Sequence, residues 1–386
     1  MIPRLAESLI RTLLQGFPIV TMTGPRQSGK TTLARSIMGG LPYRSLEDLD
    51  QRAFALDDPR GFLAQLPDGG VLDEIQHAPE LLSYLQTQVD GDRRMGRFLL
   101  TGSQQLGLMS SISQSLAGRS AIVELLPFTY AELSAAGQAC ADLDTALFMG
   151  GYPALYDRAL QPQHWFAAYV AAYVERDVRQ LLNVQDLNAF QRFVRLCAGR
   201  SGQILNQSTL AADAGITHGT ARAWLSVLEA SYVIHLLQPH HANFNKRLVK
   251  SPKLYFYDTG LLCWLLGLQT AQQLVAHPLR GAIFETWVVS ELRKSWLHKG
   301  MTPAFSFWRD SNGNEVDLLV DRAGTLTPIE IKAGMTLNRD YFAGLQRWTA
   351  LAGNLAGEPT LIYGGTEKQE RSGIRALGWQ QVGELV

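Results

Sequence analysis

Eight residues near the amino terminus constrain the fold more than any other stretch: Gly24-Pro25-Arg26-Gln27-Ser28-Gly29-Lys30-Thr31. They fit G-x-x-x-x-G-K-[ST], a loop whose backbone N–H groups cradle phosphate oxygens. Pro18-Ile19-Val20-Thr21-Met22-Thr23 before it reads as a buried strand, and Thr32-Leu33-Ala34-Arg35-Ser36-Ile37-Met38 after it as the start of a helix. Strand, glycine-rich turn and helix N-terminus in that order make an anion site, because free N–H groups and the helix dipole both favour negative charge. Gly24, Pro25, Arg26, Gln27, Ser28, Gly29, Lys30, Thr31 and Thr32 form the expected nucleotide-binding set. Lys30 is expected to reach the β- and γ-phosphates of ATP, and the Thr31 hydroxyl to ligate Mg²⁺.

Such a loop needs a metal-binding acid on a neighbouring strand. Gly69-Gly70-Val71-Leu72-Asp73-Glu74-Ile75 ends an apolar run in two acids. Asp73 would hold Mg²⁺ through water, and Glu74 would orient and deprotonate the attacking water. The pair marks a hydrolytic NTPase rather than a nucleotide kinase. Arg97-Phe98-Leu99-Leu100-Thr101-Gly102-Ser103-Gln104 reads as another strand. Ligands of open α/β sheets sit beyond the carboxyl ends of strands, so Ser103 and Gln104 would face the γ-phosphate. Ala121-Ile122-Val123-Glu124-Leu125-Leu126 is a further strand. Tyr43-Arg44-Ser45-Leu46 reads as an extra strand, expected to separate the two motif strands in the sheet.

A chain of 386 residues suggests two or three domains. Its 46% apolar and 18% charged content is that of a globular protein with ample core. With 35 basic and 35 acidic residues, no global field favours nucleic acid, so a DNA partner has to rest on a local patch. Cys140, Cys197 and Cys263 lack metal-ligand spacing and fit a reduced, cytoplasmic setting. The apolar run Leu261-Leu262-Cys263-Trp264-Leu265-Leu266 is too short for a bilayer, so no membrane partner is expected. Arg4, Glu7 and Arg11 make the first segment an amphipathic helix rather than a signal peptide.

The succession GPRQSGKTTLAR, VLDEIQHAP, FLLTGSQQ, LAGRS and ELLPFTYAEL resembles the prokaryotic AAA-type ATPases that carry a C-terminal domain of unknown function. GGYPAL, YVERDV, NKRLVKSPKLYFYDTGLL and RGAIFETWV extend the resemblance along nearly the whole chain. It implies that a basic residue completes the ATP site from a neighbouring subunit. By position Arg119 is the candidate arginine finger, with Arg176 in reserve, against a turn arginine of purely structural use. A site completed in trans implies a homo-oligomer, at least a dimer and as large as a ring such as a hexamer. Ser103 departs from the Asn that many AAA proteins have there, and its reach is shorter.

From Phe128 to Arg200 the chain reads as helical and aromatic, as in a lid over the nucleotide. Leu210 to Leu228 reads as helix, Gly215 turn and second helix, and Tyr232 to Leu237 as a strand, giving a winged-helix shape. His218, Thr220 and Arg222 would face DNA; the alternative is an internal packing module. Lys246-Arg247-Leu248-Val249-Lys250-Ser251-Pro252-Lys253, flanked by Phe244, Tyr255 and Tyr257, is either a backbone-tracking groove or a solvated loop.

Glu315-Val316-Asp317-Leu318-Leu319-Val320-Asp321 and Thr327-Pro328-Ile329-Glu330-Ile331-Lys332 alternate polar with apolar residues. A turn at Ala323-Gly324 would set Asp317 opposite Glu330 and Glu315 opposite Lys332, four side chains on one face. Asp followed by Glu-x-Lys on adjacent strands is the core of the restriction-endonuclease-like PD-(D/E)xK pattern, with Val rather than Pro before Asp317. That pattern implies two carboxylates, Asp317 and Glu330, holding Mg²⁺, Lys332 placing the attacking water, and an acid from an upstream helix, here Glu285. The alternative is a hairpin with Glu315–Lys332 and Asp317–Lys332 salt bridges on a wet face.

The expected fold is α/β. It comprises a parallel-sheet P-loop AAA-type core (1–127), a helical lid (128–200), a winged-helix-like module (201–245) and a C-terminal α/β restriction-endonuclease-like domain (246–386). Two functions stay open: an ATPase acting on or with DNA, or an ATP-gated switch whose C-terminal domain only binds a partner.

Overall fold

The computed structural model describes residues 1–103, 112, 115–158, 160–174, 186–240 and 249–386, with only the backbone of 173 and 174. Gln104, Arg176, Phe244, Lys246, Arg247 and Leu248 lie outside the described residues. The chain forms two units, Met1–Phe128 with Trp296–Met301, and Thr129–Ser295 with Thr302–Val386.

The first unit carries α1 (Ala6–Gly16), β1 (Ile19–Thr23), α2 (Lys30–Ile37), β2 (Tyr43–Ser45), α3 (Leu49–Asp57), α4 (Pro59–Ala64), β3 (Gly70–Asp73), α5 (Leu81–Gly91), β4 (Phe98–Gly102) and β5 (Ser120–Glu124). The strands pair in the order β2-β3-β4-β1-β5, all parallel. Strands buried on both faces read as continuous apolar runs, and successive side chains serve opposite cores. Leu72, Phe98 and Leu100 join α4 and α5 residues such as Phe62, Leu82 and Leu85. Val71, Leu99, Val20 and Met22 join Ile10 of α1 and Leu33 of α2.

The strand order corrects one expectation. Tyr43–Ser45 does not part the two motif strands; it is the edge strand, and β4 lies between β1 and β3. The reason is burial. Phe98, Leu99 and Leu100 have no exposed surface, whereas all three residues of β2 are half-buried, as an edge demands.

The second unit opens with α6 (Tyr130–Ala135), α7 (Leu143–Met149), α8 (Pro153–Asp157), α9 (Pro162–Tyr169) and α10 (Leu187–Ala198). Tyr152, Trp165, Phe166 and Tyr169 stack into one aromatic cluster. Then come β6 (Gln203–Ile204), α11 (Gln207–Ala214), α12 (His218–Ala230), β7 (Ile234–Leu237) and β8 (Lys253–Phe256). Asn206 and Thr217 cap α11 and α12 through their side chains, and Gly215 turns between them at φ 72°. Ala221, Trp224, Leu225 and Leu228 bury the inner face of α12, leaving His218 and Arg222 exposed. A small antiparallel sheet, β6-β8-β7, closes this segment.

The remainder contains α13 (Thr259–Leu265), α14 (Gln272–Val275), α15 (Arg280–His298), β9 (Phe305–Arg309), β10 (Glu315–Arg322), β11 (Thr325–Lys332), α16 (Asp340–Ala352), β12 (Thr360–Tyr363), β13 (Gln369–Arg371) and β14 (Ile374–Gly378). Its sheet runs β13-β14-β12-β11-β10-β9, antiparallel across β9-β10-β11 and parallel across β11-β12-β14. Leu318 faces Ile329 and Val320 faces Thr327, the register that a turn at Ala323-Gly324 dictates. Trp308, Val316, Leu319, Phe342, Leu345 and Trp348 form the core beneath α16. An irregularity between Val316 and Leu319 against β9 brings these two residues, of opposite parity, into one cluster. The wet face of the alternative hairpin reading is absent: β10 is buried from Val316 to Val320, Asp317 included.

Candidate functional site

Two clusters of titratable residues stand out, one in each unit. The first lies beyond the carboxyl ends of β1, β3 and β4. Gly24 leaves β1 at φ 146°, and a Cβ there would lie 2.2 Å from the Leu125 carbonyl oxygen. Gly29 caps α2 at φ 95°, a left-handed conformation that suits glycine. These two positions let the backbone turn tightly between β1 and α2. Lys30 is buried, and its Nζ donates to the carbonyls of Gly24 (2.9 Å) and Pro25 (2.7 Å) across the loop. Ser28 Oγ is buried with no hydrogen-bond partner, a polar atom left for a ligand to satisfy. Gln27 sits at φ 60°, Arg26 is buried 3.7 Å from Glu47, and Thr32 follows on α2, exposed.

Asp73 ends β3 and accepts from the Thr31 hydroxyl at 3.0 and 3.1 Å and from the Tyr43 hydroxyl at 2.6 Å. Thr101 of β4 donates to it as well. This set of hard oxygens fits Mg²⁺, which needs only one or two protein ligands beside phosphates and waters. Glu74 follows in left-handed backbone (φ 57°), its N–H donating to Thr101 Oγ1 at 3.1 Å. Its Oε2 accepts from Ser103 at 3.0 Å and from the Gln76 amide. Burial pushes the Glu74 carboxyl up, but the Lys30 ammonium, Gln76, Arg26 and Ser103 together hold it below the ordinary carboxylate range. Sequence reasoning places Lys30, Thr31, Asp73, Glu74 and Ser103 at one site, and the structure brings them together. It adds Gln76, two residues beyond Glu74, and Tyr43 and Thr101, which reach Asp73 through the strand order.

Arg119 is not in that group. It immediately precedes β5, and its carbonyl accepts from Ile19 N–H at the amino end of β1, one strand length of about 16 Å from the loop. Its guanidinium pairs with Asp90 at 2.6 Å.

The second cluster joins β8, α15, β10 and β11. Lys253 Nζ lies 2.5 Å from Glu315, 2.8 Å from Glu285 and 3.9 Å from Asp317, with 3% of its side chain exposed. Lys332 Nζ lies 2.5 Å from Glu330 and 3.4 Å from Asp317. Tyr255 donates to Glu285 at 2.6 Å, Ile331 N–H to Asp317 at 2.9 Å, and Arg309 to Glu315 at 2.8 Å. Glu285, Asp317, Glu330 and Lys332 therefore converge. Two of the readings do not hold. Glu315 pairs with Lys253 and Arg309 rather than forming the Lys332 salt bridge of the alternative hairpin. Lys253, Tyr255 and Tyr257 form no basic, base-stacking groove, because all three are buried; the acids across the unit draw the lysine inward.

Burial, then Asp317, pushes the Glu285 carboxyl up to about 7 and that of Glu330 up to about 8. Burial pulls Lys253 down, but Glu285, Asp317 and Glu315 outweigh it and hold the ammonium charged. Four carboxylates meet three cations, Lys253, Lys332 and Arg309, so one proton balances the set. Glu330 Oε2, buried and unpartnered, is where that proton fits. A divalent ion among these oxygens would face the Lys253 ammonium, and unit charges 4 Å apart repel by about 4 kcal/mol at an effective dielectric constant of about 20. Among the described residues no group of three His, Cys, Asp or Glu is arranged to hold a metal. The cluster as built does not fit one.

Comparison with known proteins matches an AAA domain over residues 16–134. Two domains of unknown function follow, one (DUF8612) over 140–272 and one (DUF4143) over 280–382. Uncharacterized protein Rv2008c of Mycobacterium tuberculosis is 32% identical over 334 residues, covering 86% of this chain and 74% of its own length. Uncharacterized protein Mb2031c of Mycobacterium bovis gives the same figures. Among solved structures, the Walker-type ATPase PABY2304 of Pyrococcus abyssi is 15% identical, covers 69% of this chain and 96% of its own, and has a TM-score of 0.44. AMPPCP-bound DnaA from Aquifex aeolicus is 11% identical, with 58% and 86% covered and a TM-score of 0.31. Among the described residues no helix is long and apolar enough to cross a membrane.

Proposed function

Since the chain belongs to the family of these two mycobacterial proteins and its residues 16–134 match an AAA domain, we propose that it is a Mg²⁺-dependent ATPase whose hydrolysis governs its C-terminal half. The observation that carries this reading is the convergence of Lys30, Thr31, Asp73, Glu74 and Ser103 beyond three adjacent parallel strands. Lys30 leaves the Gly24 and Pro25 carbonyls to take the β- and γ-phosphates, which also satisfy the Ser28 hydroxyl. Thr31 and Asp73 hold Mg²⁺, which when bound neutralises charge on the phosphate oxygens. Glu74, kept ionised by Lys30, orients and deprotonates the water, and Ser103 keeps that carboxylate aimed. Arg119 lies too far from its own loop to act there, so it serves a neighbouring copy in a homo-oligomer. Purified protein should hydrolyse ATP, and Lys30→Ala should abolish turnover; hydrolysis that survives the substitution removes this reading.

A second reading concerns the other unit. The helix–turn–helix of α11 and α12 with its small sheet supports a winged-helix-like module, and the Glu285, Asp317, Glu330 and Lys332 convergence supports a restriction-endonuclease-like domain. Duplex DNA would then bind the exposed His218 and Arg222 side of α12 and stimulate ATP turnover. A flat response to DNA favours the ATP-gated switch.

A further inference from the structure

We propose that Lys253 is the built-in cation of the C-terminal acid cluster. Its ammonium stands where the restriction-endonuclease-like pattern puts a divalent ion, so the centre works without metal and does not cleave phosphodiesters. The inference rests on reading this unit as restriction-endonuclease-like and decides between the two uses left open for it.

The geometry is specific. Lys253 arrives from β8, outside the β10–β11 hairpin that carries Asp317, Glu330 and Lys332. It engages the helix acid Glu285 and the strand acid Glu315 at hydrogen-bond distance and faces Asp317 at 3.9 Å. Tyr255, two residues along the same strand, completes the hold on Glu285. A lysine buried this deeply persists only when paired. Lys332, the lysine of the Glu-x-Lys pattern, is spent on Glu330 and Asp317. Each carboxylate the pattern would offer a metal is thus tied to an ammonium. The centre becomes a charge-balanced knot joining one helix and three strands. Such a knot suits a domain that transmits or displays a conformation better than one that must admit a metal and a scissile phosphate.

The test is Mn²⁺ binding to the full chain without nucleotide, read by electron paramagnetic resonance. Wild-type protein should show no Mn²⁺ site that depends on Asp317. Lys253→Met should acquire one, with Mn²⁺ affinity raised about tenfold or more over wild type, and Asp317→Asn in that background should remove it. Asp73→Asn serves as the control for the nucleotide site. Wild-type Mn²⁺ binding that Asp317→Asn abolishes and Asp73→Asn spares would overturn the proposal while upholding the restriction-endonuclease-like reading. A folded Lys253→Met chain that gains no Mn²⁺ site would overturn both. Should Lys253→Met fail to fold, the wild-type comparison alone decides: an Asp317-dependent site refutes the proposal and its absence supports it.

Discussion

Tyr43 donates its phenolic hydrogen to Asp73 Oδ2 across 2.6 Å, from the edge strand to the carboxylate that ends β3. The Arg35 guanidinium covers the other side of the tyrosine ring at 4.7 Å. Burial, then Asp73, pushes the Tyr43 hydroxyl up, so it stays a donor throughout the physiological range. Tyr43→Phe should lower the stability of the nucleotide-free protein by about 1–3 kcal/mol. The loss should shrink in saturating Mg-ATP, where Asp73 has another partner. Thermal unfolding with and without Mg-ATP checks it; an equal loss in both states would make the contact purely structural.

Gly24→Ala places a methyl 2.2 Å from the Leu125 carbonyl oxygen at a φ that L-residues avoid. The backbone of two adjacent strands must shift, at about 1–3 kcal/mol. ATP binding should be lost even where the fold survives. Isothermal titration against a fluorescent ATP analogue, with circular dichroism for folding, separates the two effects.

Arg119→Ala should leave ATP affinity unchanged and cut turnover by about a thousandfold or more. The same variant loses a solvent-accessible ion pair with Asp90 and a local hydrogen bond to the Ala117 carbonyl, so its stability should move little. Mixing Arg119→Ala with Lys30→Ala subunits should restore part of the activity, because one interface then has both an intact loop and an intact arginine. No recovery on mixing would return Arg119 to a structural part at the start of β5.

The acid cluster predicts a pH dependence of stability. Glu285 and Glu330 titrate in the folded chain near 7 and 8, above the ordinary value of a free glutamate. The unfolded chain then gives up their protons first, so their contribution is full below about pH 4 and is lost as pH rises through 7 and 8. Glu330→Gln should flatten that decline between pH 6 and about pH 9. Thermal unfolding midpoints of wild type and variant across this range measure it; parallel curves would show that Glu330 is ionised throughout.

The nucleotide site was legible because its chemistry is local. Gly24 to Thr31 is one uninterrupted motif, and Asp73, Glu74 and Ser103 each end an apolar run, so the carboxyl-end rule alone gathers them. The neighbours of Asp73 were not, since Tyr43 and Thr101 reach it only through a strand order that no motif records. Placing Tyr43–Leu46 between the motif strands followed chain order; the sheet ranks strands by how completely they bury, which favours Phe98-Leu99-Leu100 in the middle. The hairpin register was legible from alternation and turn, and Glu285 from its helix. Lys253 was not. A lysine beside Lys250 in a basic run looks solvated until acids far along the chain are known to face it.

That separation along the chain has a consequence for biosynthesis. The P-loop sheet has all its strands once Glu124 has been made, so its parallel pairings can form on the ribosome. The acid cluster has no such head start: Lys253 emerges well before Glu285, Glu315 and Asp317, and Lys332 comes last. Until then an ammonium and several carboxylates must stay hydrated, which keeps β8 and the hairpin strands from burying early. A nascent chain stopped short of Lys332 would therefore hold an organised first sheet beside an open, protease-sensitive remainder, still lacking that charge and the elements α16 and β12 to β14 that follow it.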